Sequence, residues 1–121
     1  MSPAARSVQV FGVYLAALGM LLMVAPNLLL SVFGIAPTGE VWIRVVGMLA
    51  LLLGFYYLRA AGRELTEFFA WTVLARASVP LFFVAFVWLD GAPPMLLLFA
   101  AVDAAGAAWT WAALRTPRAG A

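Results

Sequence analysis

Four apolar runs, each about as long as a bilayer core is thick, constrain this chain more than any other feature. They cover residues 8–25, 41–58, 68–89 and 95–114. A helix needs about 20 mostly apolar residues to cross the hydrocarbon core. In a chain of 121 residues the remainder suffices only for short links. The expected fold is therefore all-α: an integral membrane four-helix bundle with antiparallel, up-down spans and short loops, one transmembrane domain over residues 1–121. Composition agrees, at 67% hydrophobic and 10% charged, where a soluble domain carries about 25% charged residues.

The missing residue types exclude several chemistries. Cysteine and histidine are both absent. That removes thiol nucleophiles, disulfides, thiolate metal sites, histidine-held haem and the usual proton shuttle. Thioether sulfur alone is a poor anchor for haem iron. No metal and no cofactor is expected. The net charge of +2 comes with no basic surface interleaved with aromatics, so nucleic acid is not an expected partner.

The first run carries Gly12, Ala16 and Gly19 at three- and four-residue spacing, a seam that admits a close neighbouring backbone. Tyr14 is its only mid-run polar group. Pro26 and Asn27 interrupt it, and residues 28–35 are too short to span, so a kinked end or an interfacial half-helix is expected there. In the second run Arg44, Gly47, Leu51, Gly54 and Leu58 share a face. Glu40 stands four residues before Arg44, at the spacing of an ion pair on a helix. Trp42, the Tyr56-Tyr57 pair, Trp88, Trp109 and Trp111 fall where aromatic belts meet the membrane interface.

Charges inside two of the runs carry most of the functional signal. Arg76 sits in the third run and Asp103 in the fourth, across the turn Asp90-Gly91-Ala92-Pro93-Pro94. A charge at mid-membrane costs roughly 2.5–3.5 kcal/mol on insertion scales, so each is expected to compensate the other. At 1.5 Å per residue the two lie at depths of about 19 and 15 Å from that turn, within reach of an Arg side chain. Pro80 follows Arg76 by four residues and cannot donate to its carbonyl, which should kink the third helix. Arg44 lies about 5 Å in from the same face. Arg76 and Asp103 either pair as packing glue or line a polar cavity with Arg44, Glu40, Tyr14 and Asn27. Two arginines against one aspartate would leave such a cavity positive unless Glu40 neutralises Arg44, and a positive cavity would suit a carboxylate, a phosphate headgroup or a polarised carbonyl.

Four crossings place both termini on one face. That face collects Arg6, Arg59, Arg63, Arg115 and Arg118, so the positive-inside rule puts both termini in the cytoplasm of a bacterial inner membrane protein.

Arg44-Val45-Val46-Gly47 at the start of the second helix, Arg76 in the third, the Asp90-Gly91-Ala92-Pro93 turn and Asp103 in the fourth form a pattern. It resembles the small four-helix bacterial inner-membrane proteins of the DoxX-like group, a group without a general activity. Some of its members are associated with quinone-linked respiratory complexes, a role the resemblance assigns to no particular residue here. Small multidrug transporters have the same helix count but place a glutamate in the first helix, where this chain has no acid.

The expected role is a non-enzymatic accessory or structural bundle with an internal Arg/Asp polar site. The alternative is a binder or carrier of a small lipophilic anion, lipid or quinone-like molecule. Expected partners are the lipid bilayer, a second copy or another membrane protein, and a small lipophilic ligand. No nucleophile with a base, paired-carboxylate site or phosphate-binding glycine loop is present to indicate an enzyme.

Overall fold

The computed structural model describes residues 1–116; Arg118, counted above among the charges of one face, lies outside them. The described chain is all-helical, with α1 (Pro3–Val24), α2 (Pro26–Val32), α3 (Trp42–Gly62), α4 (Thr66–Asp90) and α5 (Leu96–Arg115). All but α2 are long and apolar enough to cross a membrane.

Local chemistry explains where the boundaries depart from those expected. The first helix begins at Pro3 rather than Val8, because Ser2 caps it: its Oγ accepts from the Ala5 amide at 3.0 Å, and Pro3 takes the first helical position. Residues 3–7, which precede the first apolar run, are thus helix. Pro26 likewise opens α2, so the interruption produces a separate short helix rather than a kinked end of α1. Helix α3 runs on to Gly62, shrinking the polar link to residues 63–65. Helix α4 continues unbroken through Pro80.

Contact registers give the directions. Gly12 meets Gly54 and Gly19 meets Gly47, so α1 and α3 are antiparallel. Phe11 packs on Gly106 and Ser7 bonds Thr110, so α1 and α5 are antiparallel too. The short 91–95 connection turns α5 back along α4, antiparallel to it, and Arg76 reaches Thr110 across the pair. Helices α1 and α3 form one close pair and α4 and α5 another; α1 and α5 join them. Helices α3 and α4 barely touch outside their link, where the Tyr57 and Phe68 rings meet edge to face at 5.6 Å.

The α1/α3 pair is close because its glycines allow it. A Cβ on Gly19 would stand 2.5 Å from the Gly47 carbonyl oxygen, and one on Gly47 2.7 Å from the Gly19 oxygen. The two backbones are therefore in direct contact at that level.

The solid core lies at one end of the bundle. Ala5, Val8, Phe11, Tyr57, Ala60, Ala61 and Phe69 are buried there. Tyr57 is a correction to the aromatic-belt expectation. Only Tyr56 faces outward, at 60% exposure, while Tyr57 is 4% exposed and closes the core. The N-terminus is tied to the α3–α4 link at this end. Ser2 donates from its backbone N and its Oγ to the two carboxylate oxygens of Glu64, each at 2.7 Å. Glu64 itself has φ of 53°, a backbone conformation that side chains seldom adopt.

Candidate functional site

Arg76 is almost wholly buried, at 3% exposure, and its partners differ from the expected one. Its Nε donates to the Thr72 carbonyl at 3.2 Å, one helical turn back. Its Nη2 donates to the hydroxyls of Thr72 at 2.9 Å and of Thr110 at 2.8 Å. The network runs on to α1, where Ser7 Oγ and Thr110 Oγ1 lie 2.7 Å apart. Ser7 spends its hydroxyl proton on the Ala4 carbonyl, so Thr110 must be the donor between the two hydroxyls. The polar chain thus passes from Arg76 through Thr110 and Ser7 to the backbone of α1, and it links α4, α5 and α1.

The rest of the guanidinium is held by rings. Its central carbon stands 4.6 Å from the Phe11 centroid and 5.6 Å from that of Tyr57, within cation–π range. Nη1 has no hydrogen-bond partner. It occupies space left by Gly106, where a Cβ would lie 2.9 Å from Nη1 and 2.7 Å from the Phe11 ring.

The expected Arg76–Asp103 ion pair therefore does not form. The threonine hydroxyls and the aromatic faces have taken the guanidinium, and Asp103 lies about one helical turn before Gly106, on which Nη1 packs, without bonding it. Asp103 is half-buried and, with Tyr14, faces a different space.

That space is a cavity of about 410 Å³ at the hollow end of the bundle, between the two helix pairs and beside α2. Leu18 and Leu22 of α1, Leu30 and Phe33 of α2, Ile43 and Val46 of α3, Phe83 of α4 and Phe99 of α5 are among its walls. Among the described residues, Tyr14, Asp103 and Trp42, the last 68% exposed and carrying an indole N–H, are the side chains with polar atoms that line it. No hydrogen bond from the described residues reaches the Asp103 carboxylate or the Tyr14 hydroxyl.

The remaining expected site residues are elsewhere. Arg44 is exposed and donates to the Met23 carbonyl. It thereby satisfies a terminal acceptor of α1 and complements the negative end of that helix. Glu40 precedes α3 instead of lying on it, so the helical pairing with Arg44 is not made; its backbone N donates to Thr38 Oγ1 at 3.1 Å. Asn27 is a bracket: its Oδ1 accepts from the Thr38 amide at 2.8 Å and its Nδ2 donates to the Thr38 carbonyl at 3.1 Å, fixing the 33–41 loop to α2. Of the six expected residues, Tyr14 and Asp103 share the cavity, Arg76 sits behind it, and Arg44, Glu40 and Asn27 are structural at the rim. The positive three-residue pocket is not built.

Ser7, Thr110 and Phe11 are the functional neighbours that spacing did not single out. The available signal was that Thr110 follows Asp103 by seven residues, two turns along the same face, and that Thr72 precedes Arg76 by four.

The fold and the site define a class: an all-helical bundle with the make-up of a membrane protein, stitched at one end by a buried arginine and open at the other into an apolar cavity with a carboxylate in its wall. No protein-family model matches the chain, and neither does any curated protein or solved structure.

Proposed function

We propose that this chain is a non-enzymatic, DoxX-like bundle of the bacterial inner membrane, with both termini cytoplasmic, that binds a small lipophilic molecule in the cavity between its helix pairs. The cavity carries this reading. Its volume of about 410 Å³ falls in the range of roughly 300–1,000 Å³ typical of small-molecule sites. Its walls are hydrocarbon and aromatic, with Tyr14, Asp103 and the Trp42 indole N–H as polar groups to fix an orientation. Arg76 supports the bundle instead of contacting the ligand, so an anionic ligand loses its expected anchor.

The test is to fill the space. Leu18→Trp adds bulk to a wall at the hollow end, away from the Arg76 network. Native mass spectrometry of the purified protein should show co-purified lipophilic molecules on the wild type and their loss from the variant, with little change in melting temperature. Equal occupancy in both would rule the cavity out.

A second reading is favoured by one observation. Ala101, Ala105 and Ala108 form an exposed small-residue stripe on α5, the kind of face on which a second copy or another membrane helix packs. Cross-linking between copies through Ala105→Cys at low protein-to-lipid ratio separates an accessory or self-associating bundle from a solitary one.

A further inference from the structure

Resting on the reading that the cavity holds a lipophilic molecule, we infer that its occupant is a neutral amphiphile that donates a hydrogen bond to Asp103, such as an alcohol or phenol on a hydrocarbon body.

The site is balanced in charge but short of hydrogen bonds. Asp103 faces the cavity, and no hydrogen bond from the described residues reaches its carboxylate. An ionised carboxylate can only accept, and leaving it unsatisfied in apolar surroundings is costly. Its countercharge is already present in Arg76, whose Nη1 packs on Gly106, about one helical turn from Asp103. Arg76 nevertheless shares no hydrogen with it. Nε and Nη2 are committed to Thr72 and Thr110, and Nη1 is wedged between Gly106 and the Phe11 ring.

What Asp103 lacks is thus a donor and not a charge. A neutral O–H supplies that donor and leaves the balance intact. An anion would meet the carboxylate head on. A cation would satisfy the carboxylate but leave the Arg76 charge uncompensated inside the bilayer, a costly state. Tyr14, on the same wall, carries a hydroxyl that can both donate and accept, and so can make a second contact to the same headgroup. Apart from the indole N–H of the largely exposed Trp42, the other lining side chains are apolar, so the body of the ligand is hydrocarbon.

The experiment uses the full chain in phosphatidylcholine nanodiscs and a probe series with one shared tail: dodecanol, dodecyl methyl ether, dodecylammonium and dodecanoate. Occupancy is read by native mass spectrometry. Dodecanol should bind about tenfold more tightly than the ether, which can accept but not donate. Asp103→Leu should lower the alcohol to the level of the ether. Equal affinity for alcohol and ether, or preference for the ammonium or the carboxylate, overturns the headgroup inference and leaves the cavity reading standing. Failure of all four probes to bind, with wild type and Leu18→Trp alike, overturns both. The wild-type series is decisive without any variant, so a poorly folded Asp103→Leu protein does not blunt the test.

Discussion

Arg76 shows how a buried charge can be stabilised without an opposite charge in contact. Two threonine hydroxyls, a backbone carbonyl and two aromatic faces surround it. Removing one of these leaves donors stranded, which costs about 1–3 kcal/mol for a buried polar group. Thr110→Val keeps shape and removes the hydroxyl that receives Nη2 and donates to Ser7. It should lower the stability of the detergent-solubilised protein by that amount, measured by thermal unfolding. Asp103→Asn breaks no intramolecular hydrogen bond and should cost less. If Asp103→Asn proves the more damaging of the two, the network described for Arg76 is not what holds the guanidinium. The charges themselves were legible in the sequence. Their partners were not, because depth counted from a turn marks the Cα and not the reach of the side chain. The Arg76 guanidinium runs back one turn toward Thr72 and meets Thr110, two turns past Asp103 on the same face of α5.

At the level of elements, the α1/α3 seam was readable from Gly12, Gly19, Gly47 and Gly54, since small residues at helical spacing have one main use between membrane helices. The register of the seam required coordinates. Gly19→Ala or Gly47→Ala places a Cβ within 2.5–2.7 Å of a backbone oxygen across the pair, where no flexible side chain can give way. Overpacking of this kind typically costs about 1–3 kcal/mol. The double variant should be less than additive, because the first separation makes room for the second methyl. Strictly additive losses in unfolding experiments would mean that the two glycines are not opposed. Gly106 belongs to the same category by a different route: its missing side chain admits the Phe11 ring and Arg76. The first turns of α1 lie outside the apolar run, and only Ser2-Pro3, a cap followed by a first-turn proline, marks them in the sequence.

For the whole molecule, the four spans and their alternation followed from hydropathy alone, while the division into one solid and one hollow end did not. Apolar residues line both ends, and only packing tells a filled interior from a cavity. The predicted orientation is testable with little interference, since the chain has no native cysteine. Thiols introduced as Thr116→Cys and Gly39→Cys should label from opposite sides of the membrane, Thr116 from the cytoplasm. Labelling of both from one side would overturn the up-down arrangement.

The stitching at one end has a mechanical consequence. Ser2–Glu64, Ser7–Thr110 and Arg76–Thr110 all lie toward the same end, and α3 and α4 are nearly unlinked beyond it. The bundle is therefore arranged like a pair of tongs with its pivot at Arg76, its jaws meeting through the Phe33 and Phe99 rings, 5.0 Å apart between centroids. From there to Asp90 is a lever of about 21 Å, so a rotation of about 5° moves the tip by about 2 Å. Small changes of angle at a polar knot become ångström-scale changes in the width of the jaws. Spin labels at positions 42 and 88 should report that width on adding dodecanol, while labels at 63 and 116 stay at a fixed distance. Motion at both ends would mean that the pivot is elsewhere.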